Sequence, residues 1–439
     1  VGIGQRRCDD DDFLTMHPSS IATTTAAPTG TTQPIDLSAR QGDAVTLATA
    51  LQASRRDTLA HFQRLQQALP ALQVPQQATL NPPLWELGHI GWFQEFWLAR
   101  NPQRAAGARA DPLAPRLPPL RTNADALYDS SAVPHASRWA LPLPDATATI
   151  ADLAAQLHST LAMLQQGDGR SHGDDDLYFF RLALVHEDMH HEAGLYMAHA
   201  LGMVVDDVRW QAPRLPAPPT ELAFAPGPWR LGSAADTGFA FDNELGAQAQ
   251  PLGATHIDAQ VLRWAEFLPF VDSGAYADAR LWTDAGNAWR LANTTSQQPP
   301  GLRQHNGQRQ HRRHGQWQAL DLAEPACHLS AHEAQAWCRW AGRRLPSEAE
   351  WERAAVAGCT PDGAFRWGDV WEWTASAFAP HPGFRPHPYR DYSAPWFDGR
   401  PVLRGGSFMT QPRLKHPCYR NFFPAHRNDV PAGFRSCAL

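Results

Sequence analysis

Residues 174–201, DDDLYFFRLALVHEDMHHEAGLYMAHAL, constrain the possible fold more than any other stretch of this chain. The stretch contains no proline, its apolar residues recur at helical spacing, and Asp174, Asp175 and Asp176 stand where a helix dipole favours negative charge. It therefore predicts one long helix. His186 and His190 are four residues apart and share a face of that helix, where both imidazoles can reach one metal ion.

Three further stretches predict helices of similar length, at residues 42–69, 81–100 and 149–166. In the second of these, Asn81 is a possible cap, and Pro82 and Pro83 fall in the first turn, where a missing N–H costs nothing. Four such helices predict an antiparallel bundle within residues 41–210. Residues 1–40 are rich in Thr, Ser, Ala and Pro and are predicted to be disordered, with an upstream extension before an original start at Met16.

The second half of the chain has a different residue pattern, without long helical periodicity. The proline-rich residues 211–228 predict a linker. Within residues 229–439, short segments are broken by Gly, Pro and Asn, and two helices are predicted at 330–342 and 344–358. The expected fold is a two-domain α+β protein whose second domain is rich in irregular structure.

Composition narrows the classes of function. A net charge of -6 gives no reason to expect nucleic acid or an anionic membrane as partner, and no apolar run approaches 18 residues. The six cysteines form no C-x-x-C pair, which is typical of a protein of the reducing cytoplasm.

A third histidine fits the pair on the long helix. His89 lies in WELGHIGWFQEFW among Leu87, Ile90, Trp92 and Phe93, and a polar ring in such surroundings needs a partner. A metal ion shared with His186 and His190 would provide one. The alternative is that these histidines are exposed or hydrogen-bonded core residues of the bundle.

The sequence His186-Glu187-x-x-His190 also matches the zinc-protease pattern, in which the glutamate is the general base. The extended form of that pattern requires glycine at position 193 and histidine at 196, where this chain has Ala193 and Tyr196. A zinc hydrolase with another third ligand and a non-catalytic binding protein both remain as alternatives.

Five motifs carry a family resemblance. They are FAFDNE (239–244), RLPSEAEWERAA (344–355), GDVWEWTASAF (368–378), YRDYSAPWFDGRPVLRGGSF (389–408) and YRNFFPAHRNDVPAGFRSC (419–437). On these motifs the C-terminal half resembles the formylglycine-generating-enzyme (sulfatase-modifying factor) fold, a variant of the C-type lectin fold, and the N-terminal half resembles the DinB-type four-helix bundle. In this order, from about residue 45 onward, the halves resemble the ergothioneine sulfoxide synthases and their relatives, the selenoneine synthases.

The resemblance implies an O2-dependent, non-haem iron(II) enzyme whose metal ligands are His89, His186 and His190. Its substrate would be hercynine, the trimethylated betaine of histidine, which receives sulfur or selenium at C2 of its imidazole. The family pattern implies that Asn421 and Phe422 contact hercynine, although core packing is the alternative for Phe422. One phenol of the family acts near the iron, and Tyr389 and Tyr392 are the candidates.

The donor of the chalcogen is a separate question. Family members that use γ-glutamylcysteine have an acidic residue where this chain has Phe423, while their arginine is matched by Arg427. The N-terminal half is similar to the selenoneine branch, whose donor is a 1-seleno-sugar. The expected function is therefore selenoneine synthase, acting on small molecules in the cytoplasm without nucleic acid or membrane. The alternative is an ergothioneine sulfoxide synthase with a thiol donor, and a zinc hydrolase is a remote one.

Overall fold

The computed structural model describes residues 35–166, 173–217, 221–235, 237–246, 248–293, 297–358 and 365–439. The α-helices in these ranges are α1 (Ser38–Gln41), α2 (Ala44–Ala68), α3 (Pro83–Trp97), α4 (Ala124–Tyr128), α5 (Ala146–Gln165), α6 (Asp174–Ala200), α7 (Trp264–Asp272), α8 (Asp284–Asn293), α9 (Ala331–Trp340) and α10 (Glu348–Ala357). The strands are β1 (Leu222–Phe224), β2 (Gly227–Arg230), β3 (Ala249–Leu252), β4 (Thr255–Ile257), β5 (Leu302–His305), β6 (Gln308–Arg313), β7 (Gln316–Ala319), β8 (Trp371–Ala377), β9 (Pro401–Arg404), β10 (Asn421–Phe422) and β11 (Ala432–Gly433).

Helices α2, α3, α5 and α6 form the predicted N-terminal bundle. Asp43 and Asp145 cap α2 and α5 by accepting the N–H of the residue three positions later, each at 2.8 Å. Helix α3 begins at Pro83, in the first turn where a residue needs no N–H, but the N-cap position is Pro82 and not the expected Asn81, whose amide donates to Glu86 instead. These local signals set the helix starts, and the apolar faces then pack into a common core.

The C-terminal half is built from short strands and four helices. Its largest sheet has the order β10-β9-β8-β11, in which only β11 runs parallel to its neighbour β8. Strands β5-β6-β7 form a separate antiparallel sheet, and β1 pairs with β4 and β2 with β3. Helices α9 and α10 match the two predicted helices. Each begins with a capping box, built from Ser330 with Glu333 and from Ser347 with Glu350.

Two predicted segments differ from the structure. The predicted linker ends too late, because residues 222–224 and 227–230 are strands β1 and β2, and Leu215 is buried. Prolines are tolerated there because these are short two-stranded pairings. The predicted disorder of residues 1–40 extends too far, since residues 38–40 begin α1 and Arg40 forms a buried ion pair with Glu244. Residues 1–34 lie outside the described part of the chain.

Helix α6 joins the two halves. Its Asp188 accepts two hydrogen bonds from Arg413, at 2.6 and 2.8 Å, and one from Ser54 of α2. One turn later, Glu192 accepts from the Trp371 indole at 2.7 Å and from Thr410 at 2.7 Å. Burial raises the pKa of both carboxyl groups. The same helix that carries the histidine pair is therefore fixed against the C-terminal half.

None of the helices in the described ranges is long and apolar enough to cross a membrane. Four cysteines, Cys327, Cys338, Cys418 and Cys437, are buried free thiols. Burial raises the pKa of each thiol, which leaves these side chains protonated and unreactive at neutral pH.

Candidate metal centre

Three histidines meet between α3 and α6. One ring nitrogen from each of His89, His186 and His190 lies within 4.8 Å of the other two. The ring centroids are 4.4 Å apart for His186 and His190, and 5.1 and 4.9 Å from His89 to each of them. The ring planes are inclined by 53 to 67° to one another, so the three lone pairs are free to converge instead of running parallel.

Hydrogen bonds at the outer nitrogens orient two of these rings. His89 Nδ1 donates to the backbone oxygen of Tyr128 at 2.8 Å, because a carbonyl oxygen can only accept. His190 Nδ1 lies 2.5 Å from Glu86 Oε2. Both contacts place the proton on Nδ1 and leave Nε2 free to bind a metal ion. Metal-binding histidines usually donate their other ring N–H to a carboxylate or a backbone carbonyl in this way.

The third ring has a buried polar atom that a bound ligand would satisfy. His186 Nε2 is sealed from solvent and has no hydrogen-bond partner among the described residues. The ring is held by Phe93, which stacks on it at 3.5 Å with the planes 2° apart. Leaving such a nitrogen unpaired costs about 1–3 kcal/mol, and a bound metal ion removes that cost. The donor set therefore fits a metal ion.

Burial also sets the charge of the ligands. It lowers the pKa of His89 to about 3, and the neighbouring His190 lowers it further. The pKa of His186 falls well below its ordinary value for the same reasons, burial first. Burial alone raises the pKa of Glu86, but His190, His89 and the Asn81 amide together outweigh that effect, and the pKa is lowered overall. At neutral pH, His89 and His186 are thus neutral imidazoles that can act as ligands, and the Glu86 carboxylate beside His190 is ionised.

Glu187 is committed elsewhere. Its carboxylate accepts Nε and Nη2 of Arg55, at 2.7 and 3.1 Å, and both side chains are buried. The same guanidinium donates to Gln94 at 2.7 Å. A carboxylate held by a buried ion pair cannot act as the general base of a zinc hydrolase, which disfavours that alternative.

The two candidate tyrosines occupy different positions. The Tyr389 ring packs edge-on against Phe93 at 4.9 Å, and its centroid is 6.1 Å from that of His186. Tyr392 lies one ring further out, 6.0 Å from Tyr389, and its hydroxyl is 3.3 Å from that of Tyr419. Burial raises the pKa of both phenols, so both keep their proton at neutral pH. Tyr389 is the nearer of the two to the histidines.

The predicted hercynine residues lie beyond the tyrosines. Phe422 is 5.8 Å from Tyr392 and stacks on Phe378 at 4.0 Å, so one of its faces is used for packing. Asn421 accepts the N–H of Phe422 through Oδ1 at 2.8 Å, which leaves its amide nitrogen as the donor. Both residues are half-buried.

The predicted donor residues Phe423 and Arg427 contact each other. The guanidinium of Arg427 lies 4.9 Å above the Phe423 ring and 5.9 Å above the ring of Tyr196 on α6. It also forms an ion pair with Asp429, at 2.5 and 2.7 Å. The sequence motif gave no indication of this last pairing.

Sequence reasoning missed the residues that stand behind the ligands. Glu86 precedes His89 by one turn of α3, yet it orients His190 of the other helix. The Glu-x-x-His spacing on α3 is visible in the sequence, but it suggests that Glu86 contacts His89 and not His190. The Tyr128 carbonyl carries no signal in the sequence.

Comparisons with known proteins agree with this two-part architecture. Residues 50–193 match the DinB superfamily, and residues 210–369 and 364–438 match the sulfatase-modifying factor enzyme 1-like domain. The chain thus has a DinB-like helical domain followed by a sulfatase-modifying-factor domain.

Its similar relatives identify the family. The chain is 33% identical to the hercynine oxygenase of Mycolicibacterium thermoresistibile, over 81% of this chain and 87% of that protein. It is 31% identical to the hercynine oxygenase of Mycolicibacterium smegmatis, over 81% and 90%. The formylglycine-generating enzyme of Streptomyces coelicolor is 26% identical over 42% of this chain and 76% of that one. The chain belongs to the hercynine oxygenase family and is an oxidoreductase.

Proposed function

We propose that this enzyme uses iron(II) and O2 to join the selenium of a 1-seleno-sugar to C2 of hercynine. The observation that carries the proposal is the group of three imidazoles: the Nδ1 atoms of His89 and His190 are hydrogen-bonded, and His186 Nε2 is buried with no partner among the described residues. In the balanced reaction, hercynine C2–H and the selenol Se–H bond are broken. A C2–Se bond and a selenoxide oxygen are formed, and the second oxygen atom of O2 leaves as water.

The donor set favours this chemistry over hydrolysis. Common iron(II) oxygenases use two histidines and one carboxylate, whereas His89, His186 and His190 bring no negative charge. Iron(II) bound here would keep its full charge and offer open positions to an anionic thiolate or selenolate and to O2. The carboxylate of Glu86 lies behind His190, where it strengthens that ligand without occupying a coordination position.

The residues beyond the metal centre suit a zwitterionic betaine. The amide nitrogen of Asn421 is a donor for the carboxylate of hercynine, and aromatic faces attract a trimethylammonium group. Phe422 and Tyr392 supply such faces in this region, with their centroids 5.8 Å apart. Tyr389 keeps a protonated phenol beside His186, which makes it the group that would hold or transfer a proton at the reacting carbon.

Two features support a sugar as donor. Phe423 provides no carboxylate for the ammonium group of γ-glutamylcysteine. Arg427, the other family position, is already neutralised by Asp429. The second candidate is a thiol donor, giving ergothioneine sulfoxide synthase activity, and the family relationship to two hercynine oxygenases favours it. We place the reaction in the cytoplasm, since free buried cysteines suit a reducing compartment.

The test is an aerobic assay of the iron(II)-loaded protein with hercynine. A seleno-sugar, γ-glutamylcysteine and cysteine are offered in parallel, and products are identified by mass spectrometry. We expect a selenium adduct of hercynine with the seleno-sugar, and none from His89→Ala protein. An adduct with a thiol alone would establish the second candidate. No adduct from any donor, in protein that holds iron, would refute the proposed reaction.

A further inference from the structure

An open cavity lies beside Arg427 and Asp429. Its volume is about 650 Å³, and it is lined by Thr79 of the loop between α2 and α3, by residues of α8 and α9, and by the loop after β10. The lining side chains used below are Trp289, Asn293, His332, Arg427, Asn428 and Asp429.

Residues on two walls of the cavity are close to groups of the candidate site. On the bundle side, Thr79 lines the cavity two residues before Asn81, whose amide donates to Glu86 at 2.5 Å. On the other side, Arg427 lines the cavity and covers the ring of Phe423, the residue expected at the donor. The Arg427 guanidinium also lies 5.9 Å from the ring of Tyr196, on the helix α6 that carries His186 and His190.

The cavity provides aromatic surface and neutral polar groups. Trp289 is half-buried, and its indole packs beside His332 with the centroids 5.9 Å apart. The Asn293 amide nitrogen donates to the Trp289 carbonyl at 2.9 Å, so Oδ1 is the atom it can offer to a ligand. Asn428 adds a second amide. Hydroxyl groups both donate and accept, so amides and carboxylates suit them as partners.

The charged groups of the cavity are already paired. Arg427 and Asp429 neutralise each other through two hydrogen bonds. Burial, together with the nearby His426, lowers the pKa of His332 and keeps that ring neutral. An amino-acid donor carries an ammonium and carboxylates, and it would have to break the Arg427–Asp429 pair to find counter-charges. An uncharged polyhydroxylated ring would not.

We propose that this cavity is the subsite for the sugar ring of the chalcogen donor. Trp289 is the face on which the ring stacks, and Asn293, Asn428 and Asp429 are partners for its hydroxyls. These are specificity-determining residues for a reaction whose chemistry takes place at the histidines, and the inference rests on the proposed function.

The test separates donor binding from turnover. Trp289→Leu removes the aromatic face, Trp289→Phe keeps part of it, and Trp317→Leu is a matched control in the separate β5–β7 sheet. For each iron-loaded protein, kcat and KM are measured with a 1-seleno- or 1-thio-sugar and with cysteine, at saturating hercynine. Calorimetry gives the Kd of the thio-sugar and of hercynine without turnover.

We expect Trp289→Leu to raise both the KM and the Kd of the sugar donor about tenfold, equal to ~1.4 kcal/mol. Its kcat at saturating sugar, its KM for cysteine and its Kd for hercynine should stay within about twofold of wild type, as should every value for Trp317→Leu. Trp289→Phe should fall between the two. If the wild-type protein turns over the sugar donor and Trp289→Leu has the same KM for that donor, the subsite is wrong and the proposed function stands. Wild-type protein that binds hercynine but turns over no sugar donor would overturn both.

Discussion

The carboxylate behind His190 gives the sharpest test of the metal centre. Glu86→Gln keeps the shape of the side chain and an oxygen that can accept His190 Nδ1–H, but it removes the negative charge. It also replaces one acceptor with an NH2 group that meets the Asn81 amide, which now donates to Glu86 at 2.5 Å. The substitution therefore weakens the orientation and basicity of one ligand without opening a cavity.

The expected size follows from the geometry. The 2.5 Å contact joins a carboxylate and an imidazole in a largely buried setting, and hydrogen bonds to charged groups contribute about 1.5–3 kcal/mol. Outer-shell partners of metal-binding histidines typically change metal affinity by about 10–100-fold. We expect Glu86→Gln to weaken iron(II) binding by a factor in that range, with a melting temperature within a few degrees of wild type.

The assay is an anaerobic titration of iron(II) against a competing chelator. Glu95→Gln is the matched control, because Glu95 is a buried carboxylate on the same helix that bonds Leu120 N–H and Gln156 and touches no histidine of the site. Its affinity should match wild type. If Glu86→Gln also binds iron(II) within about twofold of wild type, the role assigned to Glu86 is wrong.

Three further outcomes are expected. Glu187→Gln leaves the Arg55 guanidinium buried without its counter-charge, so the free energy of unfolding in denaturant titrations should fall by about 3–5 kcal/mol. The folded variant should still bind iron at low temperature. Loss of iron binding with unchanged stability would contradict this structural role of Glu187. Phe423→Asp should favour amino-acid thiols: the ratio of their kcat/KM to that of the sugar donor should rise about tenfold. The neutral Phe423→Asn should leave this ratio unchanged. If Phe423→Asp ranks the donors as wild type does, position 423 is not part of the donor site. Burial alone raises the pKa of Glu348, but Arg420, His381 and Arg404 together outweigh it, and the pKa falls from 4.5 to about 2. The stability from this lowered pKa is fully present above pH 4.5, and roughly 3 kcal/mol of it is lost as the pH falls toward 2. Between pH 6 and 3, the free energy of unfolding should therefore fall less steeply in Glu348→Gln than in wild type. The same pH dependence in both proteins would refute this role of Glu348.

The sequence by itself determined the local features of this protein. The four bundle helices were predicted to within a few residues, because their apolar spacing, the caps at Asp43 and Asp145 and the first-turn proline Pro83 act over one or two turns. The same locality places His186 and His190 on one face of α6. The motifs of the second half were sufficient for its fold family, although most of its strands are only two to four residues long.

Only the tertiary structure decided which groups face each other across elements. Glu86 orients a histidine 104 residues away, and Glu187 pairs with Arg55 at a separation of 132 residues. Such pairings depend on how helices pack and leave no spacing in the sequence. The same holds for the proline-rich segment, whose strand β1 is ordered by β4, more than thirty residues later.

The two candidate tyrosines show most directly what sequence alone cannot predict about the site. In the sequence, Tyr389 and Tyr392 are equivalent phenols three residues apart. In the folded protein, Tyr389 packs on Phe93 beside His186, while the Tyr392 hydroxyl meets Tyr419. The difference arises because the short segment that carries them turns between two domains, and their partners come from distant parts of the chain. The local sequence determines which side chains this segment offers, and long-range packing determines which of them lies beside the three histidines.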